Sequence, residues 1–386
     1  MPLFQPFRAL RFAESIPLDL VTTPPYDVIS PEEREALEES HPNNFVRIVL
    51  GSEQPTDGPG EDKYSRAASY LREWIQQGIL IEDDEPSLWL YTMDSDSQTT
   101  AGLIGALQLE TLGADDVYPH EKTTPGPKAD RLELMRATSA NLEPLWFFAS
   151  RPIDGFKEFT ERTMAGSPEM EINAGNVRHR AFRVAAEEAA GVVKQINETP
   201  IIVADGHHRY ETAITYRDER RSVDGPGPWD ATLALIMDLS VHLPSLRPIH
   251  RIASKLDFSD LSQAVELITS TVVPEELPAE IARDGPGTIG VVTKQGPFKI
   301  EVSGELDTSY LADLFERLGA EITYEHDPLR VLAAISSDSH GFILSPPPLA
   351  LVAQTAVSGG RMPPKTTLFW PKPRSGLVMR DLAARV

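Results

Sequence analysis

The stretch Thr199–Tyr210, T-P-I-I-V-A-D-G-H-H-R-Y, constrains the fold more than any other part of the chain. Pro200 opens a run of β-branched residues, Ile201-Ile202-Val203, long enough for a buried strand and too short for a helix. Asp205-Gly206 breaks the run, and glycine reaches backbone angles closed to residues with a Cβ. From His207 to Arg221, Tyr210, Ala213 with Ile214, and Arg217 return at helical spacing. Strand, glycine turn and helix therefore follow one another directly. Backbone N–H groups and the positive dipole end gather at the first turn of such a helix, making an anion site before any side chain contributes. His207, His208 and Arg209 stand there, and Arg209 offers a bidentate fork for phosphate or carboxylate. A single histidine at a helix start reads equally well as a cap or surface group. Two of them, with Asp205 before and Arg209 after, favour a functional site.

Composition narrows the chemistry. The 386 residues suggest two or three domains. A formal charge of −22 argues against a protein that coats nucleic acid or an anionic membrane. Phosphate-binding lysines and arginines must then be concentrated in one cleft. The chain has no cysteine, which removes thiol catalysis, disulfides and thiolate metal sites. No signal peptide and no apolar run of membrane-spanning length is visible, so a cytoplasmic location is expected.

Along the chain, Val21–Ile29 (V-T-T-P-P-Y-D-V-I) is expected to be extended, since Pro24 and Pro25 push their predecessors out of the helical region. Ser30-Pro31-Glu32-Glu33 has capping-box spacing and begins a helix. Asn43–Leu50 reads as a strand. Leu88–Met93 and Leu103–Leu109 read as a hairpin around Asp94-Ser95-Asp96-Ser97. Val117–Trp146 opens as a Pro/Gly-punctuated loop holding His120, Glu121, Lys122, Thr123 and Lys128, then becomes a helix carrying Arg131. Such loops tend to hold function, although a solvated charged loop would look the same. Arg178-His179-Arg180 sits in a strand, as a wall of the anion cleft or as a solvated edge. His250, beside Arg251, reads first as a packed or capping residue. Lys365 and Lys372, with Thr366 and Thr367, either return to the cleft or serve the surface.

The turn matches neither the Walker pattern nor G-x-G-x-x-G after a strand. Phosphoryl transfer needs charge neutralised at the phosphate and a base near the nucleophile. Arg209, Lys122 and Lys128 suit the first task, Glu121 the second, and Asp205 suits a divalent metal or its water. Gly206, His208, Tyr210, Thr123, Arg131, Arg178 and Arg180 complete the expected phosphate shell. His120, His250, Arg251, Lys365 and Thr366 are further candidates.

Three segments, P-H-E-K-T-T-P-G-P-K-A-D-R-L, A-D-G-H-H-R-Y-E-T-A and M-P-P-K-T-T-L-F-W-P-K, together resemble an uncharacterised prokaryotic family, catalogued as domain of unknown function 1015. The resemblance spans nearly the whole chain. The D-G-H-H-R element is also similar to the D-G-H-T-R element of free-serine kinases, which have the ParB/sulfiredoxin fold and cradle nucleotide phosphates on that turn. Those kinases carry a glutamate, in a P-H-E-like segment, as base for the serine hydroxyl. Carried over, Asp205, Gly206, His207 and Arg209 bind phosphate or metal, and Glu121 is the base. Two departures stand out: His208 replaces a threonine, and Glu121 lies farther upstream. Sulfiredoxins need a cysteine and ParB proteins bind DNA, and neither suits this composition.

The resulting expectation is an α/β (α+β) chain with three divisions. Residues 1–115 form an N-terminal α/β domain, 116–252 a ParB/sulfiredoxin-like catalytic core, and 253–386 a C-terminal α/β domain. The expected activity is a nucleotide-dependent kinase using Mg²⁺ and ATP or ADP on a small hydroxyl amino acid, free L-serine first. The alternatives are a non-catalytic nucleotide-binding regulator and a metal-dependent phosphohydrolase with His120, His207 and His208 as ligands. Partners are the small-molecule substrate and nucleotide, with no nucleic acid and no membrane; the oligomeric state is left open.

Overall fold

Ile201–Asp205 is a strand, as its β-branched run predicts, and it lies second from one edge of a nine-stranded sheet. In this computed structural model the described residues are 3–95, 98–113, 116–123, 125–304 and 306–383. The fold is mixed α/β, of the α+β kind. The chain forms two compact units, one of Met1–Pro119, Thr123–Pro244 and Pro371–Val386, the other of His120–Lys122 and Ser245–Trp370.

The sheet belongs to the first unit. Its strands run in the order Val117–Pro119, Ile201–Asp205, Leu145–Ala149, Ala231–Met237, Gln98–Gln108, Leu88–Ser95, Val177–Val184, Met170–Ala174, with Phe4–Gln5 paired to Gln98–Gln108. Ile201–Val203 pairs parallel to Val117–Pro119, and Ala234–Met237 parallel to Leu145–Phe148; the other pairings are antiparallel. Strands buried on both faces read as continuous apolar runs, which is why Ile201-Ile202-Val203 and Leu145–Ala149 lack alternation. One face packs Leu90, Leu103, Phe147, Val203 and Ala234 with Phe156, Val192, Tyr210 and Ala213 from three helices, Phe156–Met164, Ala186–Asn197 and His207–Asp224. Each such large apolar side chain contributes about 1.5–3 kcal/mol by leaving water. A second cluster, including Phe12, Phe45, Ile48, Leu71, Trp74 and Leu134, lies in the same unit.

The second unit holds a six-stranded antiparallel sheet in the order Ile268–Thr269, Gly296–Glu301, Thr288–Thr293, Ser339–Ile343, His250–Ser254, Glu321–Glu325. Leu311, Leu314 and Phe315 of the Asp307–Leu318 helix pack with Val291 and Phe342 of this sheet. Among the described residues no helix is long and apolar enough to cross a membrane.

Three expectations are corrected. Strands from residues 4–108 and 117–237 share one sheet, and residues after 370 return to the first unit, so the units do not divide at 115/116 or 252/253. Pairing between distant segments decides that, and local composition does not reveal it. Within Asn43–Leu50 the expected strand is a short helix, Val46–Val49. There Asn44 Oδ1 accepts the Val46 N–H at 2.9 Å, the local turn that starts a helix. Lys128 lies inside the Pro125–Thr138 helix and not in the loop before it. The Ser30 capping box forms as expected. The hairpin spans Leu88–Ser95 and Gln98–Gln108; the tip expected at Asp94–Ser97 falls partly on residues 96 and 97, which lie outside the described residues.

A buried pair within the large sheet makes stability pH-dependent. Tyr91 Oη sits 2.7 Å from His179 Nδ1 and accepts the Arg374 N–H at 3.1 Å. Burial first, then the Arg374 charge, lowers His179 to about 3. The unfolded chain takes up a proton near pH 6.5 that the folded chain refuses. His179 therefore contributes fully above that pH, and its contribution is lost as pH falls toward 3, by about 1.4 kcal/mol per pH unit. Urea midpoints at pH 7.5 and 5.0 are expected to show this loss, and His179→Gln to reduce it.

Candidate functional site

Gly206 leaves the Ile201–Asp205 strand at φ +95°, in the left-handed region. A Cβ there would lie 2.8 Å from Leu145 Cδ2 and 3.0 Å from Arg209 Nη2, so space and backbone both call for glycine. The helix His207–Asp224 starts at the next residue, and the Tyr210 N–H closes its first turn on Gly206 O at 2.9 Å. The N–H groups of a first turn point along the axis, out of the helix end, where an anion is favoured. His207 is buried at the first helical position and His208 is half-buried beside it.

Asp205 is held from two sides. Its Oδ2 accepts from Arg209 Nη2 at 2.9 Å, and its Oδ1 accepts from Lys372 Nζ at 2.9 Å. Lys372 also donates to Asp27 Oδ2 at 3.0 Å. Arg209 Nη1 lies 3.2 Å from Glu143 Oε1 and donates to Pro144 O at 3.2 Å. Glu143 in turn accepts the Ser375 hydroxyl. Asp27, Lys372, Asp205, Arg209 and Glu143 thus alternate in sign through the first unit. Burial works against the charge on Lys372, which is 6% exposed, yet Asp205 and Asp27 outweigh it and hold the ammonium above its usual range. Burial opposes the Arg209 charge in the same way, and Glu143 and Asp205 override it. Burial pushes the neighbouring Tyr26 phenol up to about 12, against the pull of Arg209.

Arg209 was expected to offer its fork to a ligand. Its guanidinium instead braces the half-buried Asp205 and the buried Glu143, and a buried carboxylate needs such a partner. Lys372 does return to the turn. Asp27, Tyr26, Glu143 and Ser375 escaped sequence reasoning; the only local signal was a charged residue beside prolines, in P-P-Y-D and W-P-K-P.

Other expected residues divide by position. Thr123 Oγ1 and Lys128 Nζ both donate to Glu211 Oε2 at 2.9 Å, tying residues 123–128 to the helix of the turn. Arg131 stacks 4.0 Å over the Tyr26 ring, donates to Val49 O at 2.8 Å, and pairs with Asp130. Despite burial, Arg131, Tyr64 and Lys63 hold Asp130 down at about 2. Tyr210 is a core residue: its hydroxyl donates to Glu110 O at 2.9 Å and accepts the Glu110 N–H at 3.0 Å. Arg178 and Arg180 are not at the turn. Their strand lies five places from Ile201–Asp205 in the sheet order, ~24 Å at the usual strand spacing. They pair there with Glu171 at 2.7 Å and Asp94 at 2.8 Å.

The second unit holds the remaining candidates. Glu121 Oε1 accepts the Lys365 N–H at 2.9 Å and Oε2 accepts the Thr366 N–H at 3.1 Å. Arg251 Nη2 donates to Lys365 O at 2.8 Å, and its guanidinium lies 4.5 Å over Tyr324. Burial lowers Arg251 to about 10, with Tyr324 and Glu121 opposing. Lys122 is exposed, and its N–H reaches Met362 O at 3.1 Å. His120 is buried with Nε2 3.0 Å from Thr367 Oγ1. His250 is packed, as expected, its Nδ1 accepting the Leu344 N–H at 3.1 Å while burial, then Arg251, lowers it to about 4.

Among the described residues no three His, Asp or Glu side chains gather as a metal would need. His120 lies in the second unit, and His207 and His208 lie in the first. Mg²⁺ on Asp205 fits only as an ion carried largely by phosphate and water, since both Asp205 oxygens already accept from cations.

No curated protein matches the chain. Among solved structures it is similar to a free serine kinase mutant in complex with ADP, at 15% identity over 66% of this chain and 84% of that one, TM-score 0.39. It is similar to a conserved hypothetical protein from Pyrococcus furiosus, at 14% identity over 67% and 90%, TM-score 0.37. SbnI with a C-terminal truncation, from Staphylococcus aureus, is similar at 10% identity over 73% and 84%, TM-score 0.39. The profile described as "Protein of unknown function (DUF1015)" matches residues 4–318, most of the chain, and the chain belongs to that family.

Proposed function

We propose that this protein is a nucleotide-dependent phosphotransferase acting on a small hydroxyl amino acid, free L-serine first. The observation that carries this is the Asp205–Gly206–His207 turn, where a helix N-terminus opens beside a carboxylate fixed between Lys372 and Arg209. First-turn amides would receive phosphate oxygens of ATP or ADP. Mg²⁺ arriving with the nucleotide would offset charge on the phosphates. Asp205, held by Lys372 and Arg209, would help hold that ion or its water. The acceptor hydroxyl oxygen attacks the terminal phosphorus, the bond to the bridging oxygen breaks, and the hydroxyl proton passes to a carboxylate. On the resemblance, we take that carboxylate to be Glu121.

Phosphorus NMR with Mg²⁺, ATP or ADP, and a pool of hydroxyl amino acids tests the proposal. A new phosphomonoester signal is expected with the wild type. Asp205→Asn is expected to slow its formation about 10²–10³-fold, the scale of one lost electrostatic contact. Glu121→Gln should slow it about 10²–10⁴-fold if Glu121 is the base. Bound nucleotide with no ester from any acceptor would sink the transferase and leave the regulator.

A further inference from the structure

We infer that a cavity beside Arg209, within the first unit, binds a small uncharged molecule that carries a hydroxyl or carbonyl oxygen and has the size of a short alcohol. The inference stands whether or not the protein is a phosphotransferase.

The cavity measures about 50 Å³ and lies where the Pro125–Thr138 helix, residues 140–145, the His207–Asp224 helix and the Ala231–Met237 strand meet. Leu134, Met135, Leu142 and Leu145 give it a mostly apolar wall. A water takes about 30 Å³ of the liquid and benzene fills a cavity of about 150 Å³, so about two or three non-hydrogen atoms fit here. Arg131, Glu143 and Arg209 also line it, but their charges are matched within the protein. Arg209 lies 2.9 Å from Asp205 and 3.2 Å from Glu143, and Arg131 donates to Asp130 at 2.8 Å. An ion entering would shed its water and find no free counter-charge, which selects a neutral occupant.

Two other lining side chains define its chemistry. Asn141 is 5% exposed and Thr232 is 2% exposed. The Leu233 N–H donates to Asn141 Oδ1 at 3.1 Å. A backbone N–H can only donate, so the amide is oriented and Nδ2 is its remaining end. Among the described residues no acceptor meets Nδ2, and Thr232 Oγ1 has no hydrogen-bond partner either. Buried polar atoms are rarely left so. Thr232 adjoins the residue that Asn141 holds, so both groups stand at the same end of the cavity. A carbonyl oxygen would accept from both, and a hydroxyl would accept from Asn141 while bonding Thr232. Because Arg209 and Glu143 belong to the same wall, the occupant packs against the pairs that hold Asp205.

The test is titration of the full chain with ethanol, following the Asn141 side-chain amide by ¹⁵N spectroscopy, with xenon as an apolar probe. A saturable shift is expected, with Kd about 1–10 mM, near the ceiling for three non-hydrogen atoms. Thr232→Val keeps the shape of the wall and removes its hydroxyl. It should weaken ethanol about three- to tenfold and leave xenon within about twofold. Ala140→Val adds two methyl groups to the lining and should abolish the ethanol shift. An ethanol shift that never saturates would overturn the inference, as would equal ethanol affinity in Thr232→Val. Xenon binding without ethanol binding would make the cavity a dry apolar void and overturn it too. Ethanol bound undiminished in a folded Ala140→Val protein would place the site elsewhere.

Discussion

Replacing Lys372 with methionine is expected to cost about 1–3 kcal/mol of stability near neutral pH. Methionine replaces much of the stem's volume but leaves Asp27 and Asp205 without the ammonium that both now share. Two partly exposed carboxylates that lose the buried ammonium between them is the costly arrangement, and the hydrophobic gain does not offset it. In the wild type the sign of the Lys372 shift makes its contribution present at every pH below about 10.4, the unfolded value, and lost only as pH rises past the elevated folded one. In the variant, a proton on either carboxylate does part of the missing work, so the deficit should shrink as pH falls. Urea unfolding of both proteins at pH 8 and pH 5 measures it. A deficit below about 1 kcal/mol, the range of an exposed pair, or one equal at both pH values would mean that Lys372 does not hold the two carboxylates together.

Gly206→Ala is the second large effect. Its Cβ would meet Leu145 Cδ2 at 2.8 Å and Arg209 Nη2 at 3.0 Å, on a backbone at φ +95°. Leu145 and the tip of Arg209 can yield, but φ cannot change without rotating the start of the His207–Asp224 helix. A left-handed non-glycine residue costs about 1–3 kcal/mol before the contacts are counted. Pushing Arg209 also loosens its 2.9 Å bond to Asp205. Folding should survive with reduced stability, while calorimetric affinity for ADP with Mg²⁺ should fall at least tenfold. Unchanged affinity in a folded Gly206→Ala protein would place the nucleotide elsewhere.

The parts of this fold that sequence reveals are those decided within a few residues. The Ile201–Asp205 strand, the glycine turn and the helix after it follow from β-branching, one glycine and helical spacing. The Ser30 capping box is legible for the same reason. Asn43–Leu50 misleads because a short apolar run fits strand and helix alike, and the deciding contact is one Asn44 side chain. The site is legible only in its centre. Asp205 and Lys372 are separated by 167 residues, and Lys372 and Asp27 by 345, so charge and proline context flag them without pairing them. Arg178 and Arg180 show the converse. In an acidic chain their clustering suggests a cleft, yet strand order places them far along the sheet with Glu171 and Asp94.

The central claim is that the first turn of the His207–Asp224 helix receives phosphate. Amide shift mapping of the full chain during titration with ADP and Mg²⁺ tests it most directly. The account predicts that the N–H signals of Gly206, His207, His208 and Arg209 shift first and saturate together, and that Asp205→Asn weakens the response. Saturable ADP binding that leaves those four amides unmoved would contradict it.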